Sequence, residues 1–76
     1  MNDTHGQNLE LLMIDSLKHM KQNMIDVDIS DVQEYIDHGE YGVAWDLMWH
    51  IAINNKINIP DALISSGKIM GLDVSH

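Results

Sequence analysis

The 76-residue chain has no cysteine, no phenylalanine, a single proline, and only four lysines with no arginine. Without cysteine there is neither a disulfide framework nor a thiolate zinc site, so the fold must rest on packing, as suits a reducing compartment. Twelve carboxylates against four lysines leave a formal net charge of -8. Phosphate contacts need a basic surface, so this balance argues against a nucleic-acid ligand and equally against anionic membranes. Long apolar runs are missing too: nothing approaches the roughly 18 residues of a membrane span. The N-terminus "MNDTHGQNLELLMID" lacks the basic region, apolar stretch and small-residue cleavage site of a secretory signal. These absences lead us to expect a soluble, cytoplasmic protein.

A chain this short makes one domain, 1–76, and buries too little surface to house a deep active site beside its core. Hydrophobic residues make up 45% of it, well above a disordered composition, so a folded unit is expected despite the charge. Residues 1–7 and 74–76 read as flexible ends.

Periodicity predicts an all-α fold, a compact bundle of about four short helices. From Asn8 to Met24, Leu9, Leu12, Met13, Leu17, Met20 and Met24 recur at offsets of three and four, with Thr4 or Asn8 as cap. "VDIS" breaks that pattern, and Ser30 with Gln33 makes a capping box for a second helix that Gly39 ends. A third helix runs from about Glu40 to Ile53, with the Asn54–Asn55 pair suited to its left-handed stop. Pro60 fits the first position of a fourth helix, which Gly71 ends with Leu72 supplying the closing contact. The expected core is Leu12, Leu17, Met20, Val32, Ile36, Ala44, Leu47, Met48, Ile51, Leu63 and Ile69.

Two features stand apart from this frame. Between Lys21 and Lys56 there is no lysine or arginine, while Asp26, Asp28, Asp31, Glu34, Asp37, Glu40 and Asp46 all fall there. The same segment holds every aromatic side chain: Tyr35, Tyr41, Trp45 and Trp49. At about 100° per residue from Tyr41, the third helix's apolar stripe spans about 240° through 20°. Trp45, Trp49 and Ile53 fall outside it, beside Asp46, as surplus apolar surface that fits either a neighbouring segment or a partner.

Catalytic constellations fare poorly. "IDSL" contains the Asp-Ser-Leu motif whose serine carries the phosphopantetheine in acyl carrier proteins, but Ser16 sits inside the first helix rather than opening a second one. Asp15, Ser16 and His19 have the residue types of a hydrolytic triad, yet consecutive helical residues point about 100° apart and cannot both address one imidazole. Asp15 with His19, and Asp46 with His50, read as helix-surface pairs. The histidines lack the paired spacing of a zinc motif, and Gly39 and Gly42 lack the Gly-Lys-Ser/Thr of a phosphate loop. No catalytic residue, metal or cofactor is expected.

"DVQEYIDHGEYGVAWDLM", followed by "NIP" and by "GKIMGLD", resembles the small MafI-type immunity proteins, which are similar to some contact-dependent-inhibition immunity proteins. The resemblance spans roughly Ile29 to Asp73 and leaves the first helix outside. Its elements here are Asp37 and Gly39 at a helix end, then Glu40, Tyr41 and Gly42, then Asp46 on an apolar helix. It implies a non-enzymatic inhibitor that binds the toxic C-terminal domain of a secreted protein, often a nuclease, as a 1:1 complex. A basic nuclease cleft would meet carboxylates beside aromatics, so the expected toxin-binding residues are Glu34, Asp37, Glu40, Tyr41, Trp45, Asp46 and Trp49. The alternative is a small acidic regulatory or adaptor module that binds another basic protein.

Overall fold

A computed structural model describes residues 5–75. The described chain is all-α: α1 (His5–Met20), a 3₁₀ turn (Lys21–Asn23), α2 (Asp26–Asp37), α3 (Tyr41–Asn55) and α4 (Asp61–Ile69). α1 packs against each of the other three helices, α3 bridges α2 and α4, and the Cα radius of gyration is 11.6 Å, close to the roughly 11 Å of a compact chain this long. No helix among the described residues is long and apolar enough to cross a membrane.

Local chemistry explains most of the boundaries. α1 starts earlier than the periodicity suggests, so Asn8 is an interior residue and no cap; Thr4 lies outside the described residues. Its α-helical part stops at Met20, and Met24 is reached through the 3₁₀ turn, where its N–H donates to the Lys21 carbonyl. α2 begins at Asp26 rather than Ser30, correcting the capping-box reading. Ile25 is extended, its carbonyl accepts the first helical bond from Ile29 N–H, and Asp26 and Asp28 lie in the first turn, where the helix dipole favours anions. Ile29 packs against the core with Val32 and Ile36, so tertiary contact recruits "VDIS" into the helix against its β-branched preference.

Three helices end in the same way. At α2, Gly39 N–H donates to Ile36 O and Glu40 N–H to Tyr35 O (3.0 and 2.8 Å), with Gly39 at φ +74°. At α4, Gly71 N–H donates to Lys68 O and Leu72 N–H to Gly67 O (3.1 and 2.8 Å), with Gly71 also at φ +74°. Both are Schellman stops, and both are legible from the glycines. At α3 the left-handed residue is Lys56 (φ 55°, ψ 40°), not one of the two asparagines. Its N–H and that of Ile57 close onto Ile53 O and Ala52 O. Extended Pro60 caps α4 instead of occupying its first position, so the helix starts one residue later than expected, at Asp61, and the Pro60 carbonyl accepts from Leu63 and Ile64 N–H.

The core holds Leu17, Met20, Val32, Ile36, Ala44, Met48, Ile51 and Leu63 as expected, together with Met13, Met24, Trp45, Trp49 and Ala52. Leu12 and Leu47 are only half-buried, and Ile69 is 50% exposed, so that expectation was wrong. α3 is rolled relative to the predicted stripe: its buried arc runs from about 280° through 80°, taking in both indoles and leaving Leu47 at the edge. Two indoles bury far more apolar area than one leucine, which sets the roll.

The seat for Trp45 lies on α4. Trp45 Nε1–H donates to the Leu63 carbonyl at 2.8 Å, and Ser66 Oγ–H donates to the same oxygen at 2.9 Å. Gly67 is where the ring touches the helix: a Cβ placed there would lie 2.8 Å from Trp45 Cζ2 and 2.6 Å from Val74 Cγ1. Val74 therefore packs on the core and belongs to no loose end, and His5 to Gln7 are helical, so both expected tails are shorter than read; 1–4 and 76 lie outside the described residues. Val74 is held by a small turn in which Ser75 N–H and Oγ–H donate to Asp73 Oδ1 (2.9 and 2.6 Å). The Ser75 hydroxyl first, then its amide, lowers the Asp73 pKa from its ordinary 3.8.

Two stability outcomes follow from these contacts. Gly67→Ala should destabilise by about 1–2 kcal/mol, overpacking against Trp45 outweighing the helical gain of alanine, and Val74→Ala should recover part of the loss in a denaturation double-mutant cycle. Lys56→Gly should raise stability by roughly 1 kcal/mol by removing a side chain from the left-handed region. A lower melting temperature for Lys56→Gly would show that the α3 stop is not strained as described.

Candidate functional site

The corner between α2 and α3 collects the acidic surface. Glu40 is fixed from both sides: its N–H closes α2 on Tyr35 O, and its carbonyl accepts the first bond of α3 from Ala44 N–H at 3.0 Å. Its side chain is exposed, as are those of Glu34 and Asp37, which lie opposite Val32 and Ile36 as expected. Asp37 Oδ1 accepts from Gln33 Nε2 at 2.9 Å, and His38 Nδ1 lies 2.8 Å from Glu34 O, sealing the last turn of α2. Asp46 is exposed on the outer face of α3, six residues and about 9 Å of helical rise beyond Glu40. Its carboxylate stands 3.5 Å from His50 Nδ1, while that nitrogen is bonded to the Asp46 carbonyl at 2.8 Å.

Two of these positions, Glu34 and Asp37, run against helix stability. The last turn of α2 contains Glu34 and Asp37 and no basic side chain. A carboxylate at the negative end of a helix dipole is disfavoured by about 0.3–1 kcal/mol, so neither contributes to holding α2 together. By contrast, Asp26 and Asp28 at the start of α2 and Asp61 in the first turn of α4 sit where the dipole rewards them.

The aromatic half of the expected site is rearranged. Trp45 and Trp49 are 4% and 8% exposed and stack with ring centroids 4.7 Å apart and planes 15° from parallel. They lie under the acidic face, not on it, which corrects their reading as surplus surface. Tyr41 is half-buried and packs against the core at the start of α3, with its neighbours Gly42 and Val43 exposed. The structure thus brings Glu34, Asp37 and Glu40 to one corner with Tyr41 at its edge, sets Asp46 along the outer face of α3, and withdraws the indoles. Sequence reasoning missed the reason for that withdrawal, Gly67 in α4, which leaves room for the ring beside the Leu63 carbonyl that Trp45 shares with Ser66.

Elsewhere the chemistry is sparse. Ser16 is fully buried and its hydroxyl donates to Leu12 O at 2.7 Å, the geometry of a helix-interior serine and not of a nucleophile or an attachment site. His19 and Asp15 pair across one turn at 3.6 Å beside Pro60 and Asp61. Among the described residues no group of three or more histidine, aspartate or glutamate side chains is arranged to hold a metal ion. A shallow depression of about 580 Å³ at the far end of α3 is lined by Ile53, Ile57, Ile59 and Ile64, with Lys56 as its one charged group.

No family model, curated protein or solved structure matches the chain.

The burial of the indoles has a direct consequence. Trp49→Ala should act on the fold, costing about 3–5 kcal/mol, most of the stability of so small a domain. Equilibrium unfolding of the purified variant checks this; a Trp49→Ala protein as stable as the parent would return the side chain to the surface.

Proposed function

We propose that the chain is an immunity protein: a non-enzymatic inhibitor that acts in the cytoplasm by binding the toxic C-terminal domain of a secreted protein, a nuclease with a basic cleft. The observation that carries this reading is the placement of Glu34, Asp37 and Glu40 on a corner whose backbone is fixed by two interlocked helix ends, the first two at the close of α2, where their charge does nothing for the helix. Carboxylates held there, with Asp46 beyond them, form a fixed array of negative charge that a phosphate-binding cleft would accept in place of its substrate. Tyr41 borders the array, and the stacked indoles stiffen the helix beneath it. A surface that is charged at the rim and rigid underneath favours fast, electrostatically steered capture, which suits an inhibitor that must reach its target before the substrate does.

The test is charge reversal. Asp37→Lys, Glu40→Lys and Asp46→Lys together should leave helicity intact, because exposed charges contribute little to stability. They should abolish the protection of cells that co-express the toxin domain encoded immediately upstream, and slow its association with the purified protein. For the unaltered protein, the association rate should fall markedly as salt rises from about 0.05 M to about 0.5 M. Full protection by the triple variant, with a salt-independent association rate, would remove the corner from the interface. Capture of a basic partner that is not a toxin would instead establish the adaptor reading of the same surface.

A further inference from the structure

The segment that follows α4 is attached to the rest of the molecule by one side chain. The last backbone bond between it and a helix is Leu72 N–H to Gly67 O at 2.8 Å, and among the described residues no backbone hydrogen bond joins 73–75 to any helix. Gly71, Leu72, Asp73 and Ser75 are exposed, and only Val74 turns inward, onto the core. Its seat is shared. A Cβ placed on Gly67 would lie 2.6 Å from Val74 Cγ1, 2.8 Å from Trp45 Cζ2 and 2.9 Å from Trp45 Cε2, so the valine, the indole edge and the bare helix backbone meet at one point. Cε2 is bonded to Nε1, whose hydrogen makes the buried bond to Leu63 O. The valine therefore covers the side of the ring that carries its polar atom.

The ring and its cover are held with very different strength. The indole is fixed by that buried hydrogen bond and by a stacked neighbour, the cover by a single aliphatic contact. What keeps the cover in shape is local: Ser75 N–H and Oγ–H both donate to Asp73 Oδ1 (2.9 and 2.6 Å), closing a turn around Val74 from its two neighbours. A segment with one apolar contact and no backbone bonds to the helices opens at far lower free energy than helices packed face to face, so it comes away while they stay folded. Asp73 opposes that opening, because an aspartate that closes such a turn reduces the freedom Val74 loses on docking.

We propose that residues 73–75 form a strap that opens and closes over Trp45 while the four helices remain folded, with the Asp73–Ser75 turn as its latch. Opening uncovers the indole edge and the Gly67 backbone beneath it. The junction of α3 with α4 thereby has a solvent-accessible state that needs no unfolding, and the acidic corner between α2 and α3 plays no part in it.

Hydrogen exchange followed by NMR on the full chain tests this, with Trp45 Nε1–H as the reporter. Its exchange should be nearly insensitive to urea below the unfolding midpoint, because a strap exposes little surface when it opens. The amides of buried Met48 and Ala52 should instead accelerate steeply with urea. Asp73→Ala removes the acceptor of both turn bonds and should speed indole exchange about 10-fold. Val74→Ala should speed it by about as much through lost apolar contact. Val32→Ala, which weakens the core from α2, should speed the Met48 amide and leave the indole unchanged. An indole N–H that follows urea as Met48 does, or that Val32→Ala speeds equally, overturns the proposal, since the ring would then be reached only by global unfolding. Indole exchange that either Asp73→Ala or Val74→Ala leaves unmoved overturns it as well, since the ring would be exposed by an opening in which the latched strap has no part.

Discussion

The placement of Trp45 on Gly67 is the contact on which the rest of the structure depends. It joins α3 to α4 by a buried hydrogen bond from Nε1 to the Leu63 carbonyl and by ring contact that tolerates no side chain beneath it. A hydrogen bond of this kind adds only about 1 kcal/mol, but an indole nitrogen buried without a partner would cost more than that, so the geometry is enforced as much by penalty as by reward. Once Trp45 is seated, Trp49 must stack beside it, α3 must roll so that Leu47 moves to the edge, and the outer face of α3 is left to Val43, Asp46, His50 and Ile53. The position of Asp46 on the surface is thus decided by the indole next to it in sequence, which points about 100° away around the helix.

The second constraint is the manner in which the helices stop. Each of α2, α3 and α4 closes with the same pair of backbone bonds across a left-handed residue, and the connections that follow are short: three residues from α2 to α3 and five from α3 to α4. At the α2–α3 corner the two ends interlock in Glu40, which serves as the residue after one helix and the cap of the next. Short connections leave little chain entropy to lose, which helps a domain of this size fold on a modest core.

Much of this architecture can be read from the residue order. Glycines at 39 and 71 mark helix ends because only glycine enters the left-handed region without strain, and Val32, Ile36, Met48 and Ile51 mark buried faces because their spacing matches the helical period. The failures have physical causes. Lys56 takes a conformation better suited to Asn54 or Asn55, because the turn position is fixed by where Ile57 must reach Ala52 O and not by local preference. α2 extends back to Asp26 because Ile29 finds core contacts that periodicity in isolation cannot reveal. At the candidate site the carboxylates were legible, since charge opposite an apolar face points to solvent. The fate of the two tryptophans was not, since it rests on a glycine 22 positions after Trp45 in the sequence.

The stacked indoles also determine what can be observed of this molecule by light. Trp45 and Trp49 are its whole complement of tryptophan and lie with centroids 4.7 Å apart. At that distance their electronic transitions couple, so the near-ultraviolet circular dichroism is dominated by one fixed chiral pair and not by averaged independent chromophores. Intrinsic fluorescence consequently senses the junction of α3 with α4 and is nearly blind to α1 and α2, where there is no indole. A change in emission on mixing with a partner would therefore mean that the buried seat had been disturbed, whereas a silent spectrum is the normal signature of contact at the acidic corner.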